Sequence, residues 1–150
     1  GAGAAARRKR LAERHVRVKS ADGHHLVVGA HDKLVFDADA AADAANAQFT
    51  LVALGIGVYA LRTRGADAVR YVLADAKHTV SLSEPVADAS AAPPADARLN
   101  IVRSERQKHA HALADAHGGF LVADSKHHVI SKPAKRPPNK AWHHVVMVRD

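Results

Sequence analysis

The segment GFLVADSKHHVIS, residues 119–131, joins two apolar runs through a polar turn, which is the pattern of a β-hairpin. The same plan occurs twice upstream, as RYVLADAKHTVSLS at 70–83 and as HHLVVGAHDKLVFD at 24–37. The three segments align over ten positions without a gap, beginning at His25, Tyr71 and Phe120. The sequence therefore repeats one unit three times, and these three residues are predicted to occupy equivalent positions.

Short runs rich in β-branched and apolar residues surround each hairpin, so that every copy contains four strands. The predicted strands are 16–20, 25–29, 33–37 and 49–54 in the first copy, 58–63, 70–74, 79–83 and 98–104 in the second, and 109–114, 119–123, 128–132 and 141–148 in the third. Twelve strands in three four-strand units predict an all-β fold, the β-trefoil, in which three hairpins close a six-stranded barrel with pseudo-threefold symmetry.

The predicted core is built mainly from Val and Leu, because 47% of the 150 residues are apolar but only 4% are aromatic. The fourth strand of each copy opens with a large apolar residue, and we expect Phe49, Leu99 and Trp142 to be equivalent. The predicted core residues are Leu26, Val28, Leu51, Leu61, Val72, Ile101, Leu121 and Val146. The length suits one domain, 15–150, preceded by a flexible basic arm, 1–14.

Three longer stretches resemble the repeats of the fascin and hisactophilin β-trefoils. They are VRVKSADGHHLVVGAHDKLVFD at 16–37, VYALRTRGADAVRYVLADAKHTVSLS at 58–83 and HAHALADAHGGFLVADSKHHVISKP at 109–133. The resemblance covers about 16–148, and its motifs specify the fold better than the function. It implies a module that binds actin filaments.

No catalytic motif stands out in the sequence. It lacks G-x-S-x-G, P-loop, dinucleotide-binding and H-E-x-x-H patterns, and it has no cysteine. Adjacent strand residues point to opposite faces, so His127 and His128 are interpreted as hairpin residues rather than metal ligands. Asp75 and Asp124 close equivalent strands, where their carboxylates are expected to accept backbone N–H groups of the turn. We therefore predict a protein that is not an enzyme and has no cofactor or metal site.

The formal charge of +7 is unevenly distributed along the chain. Residues 1–20 contain seven Lys and Arg against one acid, residues 126–140 contain five and no acid, and residues 37–97 contain four against eight acids. Such a basic pole attracts polyanions. The predicted partner-binding residues are Arg7, Arg8, Lys9, Arg10, Arg14, Arg17, Lys19, Arg103, Arg106, Lys108, Lys132, Lys135, Arg136 and Lys140.

Three kinds of partner remain open at this point. The resemblance implies an actin filament, whereas RRKR at 7–10 and KPAKRPPNK at 132–140 also suit nucleic acid or a ribonucleoprotein. SKPAKRPPNKAW at 131–142 resembles in position the basic loop of the fibroblast growth factor trefoils, without their Gly-Gln-Lys pattern, and this resemblance implies an acidic polysaccharide as the third candidate. The absence of cysteine favours a reducing compartment, so a cytoplasmic location is expected. No apolar run reaches the roughly 18 residues of a membrane span, and the sequence does not indicate an oligomeric state.

Overall fold

The computed structural model describes residues 12–65 and 68–148. Within these residues the chain forms twelve β-strands and four one-turn 3₁₀ helices. The strands are β1 (Glu13–Lys19), β2 (His25–Val28), β3 (Leu34–Asp37), β4 (Phe49–Gly55), β5 (Val58–Thr63), β6 (Val72–Ala74), β7 (Val80–Leu82), β8 (Leu99–Arg103), β9 (His111–Asp115), β10 (Gly119–Ala123), β11 (Val129–Pro133) and β12 (His144–Met147). The predicted number and order of strands is confirmed.

The largest shifts in strand boundaries occur at the two ends of the chain. β1 begins at Glu13 rather than at residue 16, so Glu13 and Arg14 belong to a barrel strand and not to the predicted arm. The rest of that arm, up to residue 11, lies outside the described residues. β12 begins at His144 rather than at residue 141, because residues Asn139–Ala141 form a 3₁₀ turn. In the described part of the chain, no helix has the length and apolar character that a membrane span requires.

Six of the strands form an antiparallel barrel. β4 pairs with β1 and β5, β8 pairs with β5 and β9, and β12 pairs with β1. A bridge between His111 and His143 joins β9 to the residues that lead into β12 and completes the ring. Because the ring is closed, the barrel strands leave no free edge, as expected for a β-trefoil.

The other six strands form three hairpins, β2–β3, β6–β7 and β10–β11. Each hairpin turn has a left-handed residue at the same aligned place, Asp32, His78 or His127, with φ values of 58°, 64° and 66°. The first turn has a second such residue, His31, with φ of 58°. The Oδ1 atoms of Asp75 and Asp124 each accept two backbone N–H groups of their own turn, at 2.8–3.0 Å. The predicted role of these two aspartates is therefore confirmed.

The 3₁₀ turns fix which residues are equivalent at the start of the fourth strands. The turns end at Ala47, Ala97 and Ala141, and two residues later comes a fully buried side chain, Phe49, Leu99 and His143 respectively. The prediction of Trp142 at this position is thus wrong by one residue. In the sequence WHH at 142–144, the large aromatic residue Trp142 comes one position before His143, whose side chain points into the barrel.

His143 is consequently a core residue. Its side chain is 1% exposed, and its ring stacks on Phe36 with the ring centroids 5.1 Å apart. Its Nε2 lies 2.7 Å from the carbonyl oxygen of Leu121, which can only accept, so Nε2 holds the proton. Its Nδ1 is buried without a hydrogen-bond partner among the described residues. Burial lowers the pKa of His143 below its ordinary value.

Most of the predicted core is found in one apolar cluster inside the barrel. Leu26, Leu51, Leu61, Val72 and Leu121 are buried there, and Val28 and Ile101 are partly buried against it. The prediction fails at Val146, because Val145 packs against the cluster instead. The one-residue shift that turns His143 inward also turns Val145 inward and leaves Val146 opposite Arg17 on the outer side of β1.

Protein stability is expected to fall as the pH drops below about 6.5, because the folded chain resists protonating one buried and two partly buried histidines. Burial is the main cause that lowers the pKa of His25, His111 and His143, so the unfolded chain binds more protons below about pH 6.5. Each such proton changes the free energy of unfolding by up to about 1.4 kcal/mol per pH unit. We expect H143L, which installs the residue found at Leu99, to flatten this dependence by up to that amount between about pH 6.5 and 5.

Urea unfolding at a series of pH values measures the effect. H144L is the matched control, since its imidazole is adjacent in sequence but only partly buried. If H143L and wild type lose stability at the same rate on acidification, His143 is protonated in the folded protein and the assignment of a neutral buried imidazole is incorrect.

Candidate polyanion-binding surface

The barrel has two distinct ends, and the predicted basic residues are divided between them. The β4–β5 and β8–β9 turns lie where β1 begins, and this is called the open end. The hairpins lie at the opposite end. Arg14, Arg103, Arg106 and Lys108 are exposed at the open end, whereas Arg17 and Lys19 lie on the outer side of β1 toward the hairpins. Arg7, Arg8, Lys9 and Arg10 lie outside the described residues.

The remaining predicted residues belong to one segment, residues 132–140, called the basic loop. Lys132, Lys135, Arg136 and Lys140 are all exposed. No acid occurs between residues 125 and 148, and in the described part of the chain none of these four side chains forms an ion pair. Among residues 12–65 and 68–148, the basic loop is therefore an array of four cations with no acidic partner.

Both ends of the basic loop are anchored to the third repeat. At its start, Pro133 is paired with Gly119, and the N–H of Ala134 donates to Gly118 at 3.3 Å. At its end, Ala141 is fully buried in an outer apolar cluster with Phe120. Two prolines in the middle restrict φ between these anchors. A fixed backbone reduces the conformational entropy lost when the cations engage a partner.

The two equivalent connections in the other repeats have the opposite charge. Residues 37–48 contain three acids and no Lys or Arg, a charge of −3, and residues 83–98 contain three acids and Arg98, a charge of −2. The corresponding segment, 132–142, has four Lys and Arg and no acid, a charge of +4. Around the pseudo-threefold axis, one sector is therefore basic and two are acidic.

The open end is less uniformly basic than the basic loop. Glu13 forms an ion pair with Arg62 at 2.5 Å, and Glu105 adjoins Arg106 in the β8–β9 turn. Arg103 lies near His111, whose pKa is lowered by burial first and then by this guanidinium. Acids thus accompany the cations at this end, which weakens its field for an incoming anion.

Sequence reasoning missed a polar network at the hairpin end of the third repeat. Asp115 is 5% exposed, and its Oδ1 accepts the N–H groups of His117 and Gly119 at 2.8 and 2.9 Å. Its Oδ2 accepts the hydroxyl proton of Ser131, and Ser131 Oγ lies 3.2 Å from His78 Nδ1. A Cβ on Gly119 would collide with Ser131 Oγ, so the network requires glycine at this position.

The direction of these hydrogen bonds indicates that the network stabilises the fold and is not a catalytic triad. Ser131 gives its only proton to Asp115, so the Nδ1 of His78 must donate to the serine oxygen. In a nucleophilic triad the histidine instead takes the proton of the serine. Among the described residues, no group of three or more His, Asp and Glu side chains is arranged to hold a metal ion. The sequence signal for the network is Ser131, which occupies the place of Phe36 and Leu82 in the other repeats.

Comparison with known proteins identifies the fold. No protein-family model and no curated protein matches the sequence. A designed threefold-symmetric protein, ThreeFoil, is 15% identical with a TM-score of 0.67 over 89% of this chain and 99% of its own. SeviL bound to asialo-GM1 saccharide is 9% identical with a TM-score of 0.71 over 92% and 100% of the respective chains. A GlcNAcα1-4Gal-releasing endo-β-galactosidase from Clostridium perfringens is 9% identical with a TM-score of 0.69, over 91% of this chain and 33% of that enzyme.

These similarities confirm the predicted β-trefoil. At such low identity they show the fold alone. Membership of the fascin and hisactophilin family remains a prediction from the resemblance of the repeats.

Proposed function

We propose that this protein is a non-enzymatic binding module that holds an acidic polysaccharide on its basic loop. The observation that supports the proposal is the charge reversal among the three equivalent connections, +4 against −3 and −2. The loop is exposed, free of acids and anchored at Ala134 and Ala141. Sulfate and carboxylate groups along a polymer require an array of cations of this kind.

The side chains around the basic loop favour a saccharide polymer over single-stranded nucleic acid. Binding of single strands relies on exposed aromatic rings on which bases stack. Trp142 is the aromatic residue next to the loop, and it packs against the outer apolar cluster of the third repeat. A similar fold, SeviL, has been observed with a saccharide bound. Lys and Arg side chains without a stacking platform suit sulfated or carboxylated sugars.

A second candidate is an actin filament, which the resemblance to fascin and hisactophilin implies. The stretches at 16–37, 58–83 and 109–133 support this candidate, and the expected cytoplasmic location accords with it. An anionic filament surface would be held by the same four cations. Both candidates therefore use the basic loop, and they differ in the polymer that it engages.

Neutralising the basic loop is expected to weaken polymer binding by about 100-fold, because four polymer contacts are lost together. The variant is K132Q/K135Q/R136Q/K140Q. Its matched control is R14Q/R103Q/R106Q/K108Q, which removes the same charge at the open end and is expected to weaken binding only several-fold. Titration calorimetry with heparin as the sulfated polysaccharide, at 50–300 mM salt, measures both. The slope of log affinity against log salt should also fall by about one for each contact removed.

Parallel assays separate the candidates. Co-sedimentation with actin filaments and binding to single-stranded RNA are measured with the same two variants. Loop-dependent binding to actin, without loop-dependent binding to heparin, would favour the second candidate. Equal losses in the loop variant and the control, for every polymer, would contradict a role for the basic loop.

A further inference from the structure

The first repeat departs from the other two where the hairpin packs on the outside of the barrel. In repeat 2, Ala60 and Tyr71 are buried together in an outer apolar cluster, and in repeat 3 Ala112 and Phe120 are buried in the same way. The hairpin alignment places His25 at the position of Tyr71 and Phe120. The first repeat therefore has an imidazole where the others have a large aromatic ring.

The barrel register identifies the residue beneath that imidazole. The cross-strand pairs Val16–Phe49, Tyr59–Leu99 and His111–His143 are equivalent in the three repeats. The residue that follows the first member of each pair is Arg17, Ala60 or Ala112. A guanidinium thus replaces the methyl group that lies in one cluster with the aromatic ring in the other two repeats. The same small outer position therefore holds a guanidinium and an imidazole in one repeat and neither group in the other two.

Two nitrogen atoms in this cluster are buried without partners. The Nε of Arg17 and the Nδ1 of His25 have no hydrogen-bond acceptor or donor among the described residues. The pKa of His25 is lowered by burial, then by Arg17 and then by Lys19, which places both cations near the ring. Leaving a buried donor unpaired costs about 1–3 kcal/mol, and more when the donor is charged. The Nε–H of Arg17 therefore lacks an acceptor, and His25 lacks a neighbouring anion that would stabilise its protonated form.

The acid that faces this cluster is already engaged. Asp37 lies opposite His25 in the β2–β3 pair, while Lys19 lies opposite His25 in the β1–β2 pair. The Oδ1 of Asp37 accepts the N–H of Asp39 at 2.9 Å, in the turn that follows β3. After burial, the charges that lower the pKa of His25 are those of Arg17 and Lys19. Among the described residues the Asp37 carboxylate thus bonds within its own turn and forms no ion pair with Arg17.

We propose that Arg17 and His25 form a binding site for a small oxyanion, the sulfate or phosphate group, with Lys19 at its rim. The tetrahedral oxygens would accept from Arg17 Nε and from a protonated His25 Nδ1, and the negative charge would offset the repulsion among the three cations. The site belongs to the first repeat and is separate from the basic loop of the third. The site does not depend on the proposed function, because either a free ion or a sulfate group on a polymer could accept hydrogen bonds from Arg17 and His25.

The test follows the NMR titration of the His25 imidazole with and without sodium sulfate, at an ionic strength held constant with sodium chloride. In the wild type, sulfate is expected to raise the pKa of His25 by about one unit, because an adjacent anion favours the imidazolium. In R17A the sulfate effect should disappear. This variant installs the alanine already present at positions 60 and 112, so the fold accommodates it.

Two further variants complete the test. K33A removes an exposed cation outside the cluster and should leave the sulfate effect on His25 intact. The quadruple basic-loop variant should also keep it, which separates this site from the proposed function. A shift with free sulfate, or one seen only with heparin, supports the site and identifies the source of the anion. If neither anion shifts the titration of His25, or if R17A responds as the wild type does, the proposal is overturned.

Discussion

Replacing Phe49 with alanine is expected to lower the free energy of unfolding by about 3–5 kcal/mol. Phe49 is 0% exposed and opens β4, where it is paired with Val16 of β1 and Thr63 of β5. A cavity at this position loosens three barrel strands at once. The loss is a large share of the about 5–15 kcal/mol that stabilises a typical domain. In a thermal melt it corresponds to a decrease in Tm of about 6–20 °C for a chain of this size.

The control for this experiment is Ile56, which lies fully exposed in the β4–β5 turn. I56A should change the free energy of unfolding by less than about 0.5 kcal/mol. F49L keeps most of the volume and matches Leu99 of the second repeat, so it should cost less than about 1.5 kcal/mol. Equal melting temperatures for F49A and I56A would refute the barrel register described for β4.

Replacing Asp115 with alanine is the second change with a large expected effect. Its carboxylate accepts the N–H groups of His117 and Gly119 and the hydroxyl of Ser131. The alanine variant leaves these buried donors without an acceptor, at about 1–3 kcal/mol each. Some of these donors will form hydrogen bonds with water instead. We therefore expect the free energy of unfolding, measured with urea, to fall by about 3–5 kcal/mol.

The asparagine variant provides the matched comparison. In D115N the amide oxygen can still accept the two backbone N–H groups, and the amide nitrogen can donate to Ser131. The serine proton is then released toward His78 Nδ1, which reverses the direction of the chain without breaking it. D115N should therefore be clearly more stable than D115A. If the two variants unfold at the same urea concentration, the three hydrogen bonds contribute little to stability.

The hairpins and the strand order could be predicted from the sequence because the local signals agree there. Period-two alternation and a polar turn recur at 24–37, 70–83 and 119–131, and each hairpin brings residues near in sequence together. The start of β12 could not be predicted in the same way. Trp142, His143 and His144 are all large and partly polar, so alternation does not identify the inward residue. The 3₁₀ turn that precedes these residues determines that His143 points inward.

The candidate sites were predicted less completely than the fold. Residue type alone identified the four cations of the basic loop, but it gave no reason to compare them with the acids of the equivalent connections. The cluster of Arg17 and His25 required the barrel register. Eight residues separate that pair, as they separate Ala112 from Phe120, but eleven separate Ala60 from Tyr71. The hairpin alignment therefore cannot be extended into the first strand without a gap.

The opposite charges of the three connections give the molecule a dipole across its pseudo-threefold axis. The field of an anionic polymer exerts a torque on this dipole and turns the basic sector toward the polymer before contact. This orientation raises the fraction of collisions that lead to binding. Once bound, the module presents its two acidic sectors outward. Although the whole chain carries +7, the side turned away from the polymer is therefore its less positive side.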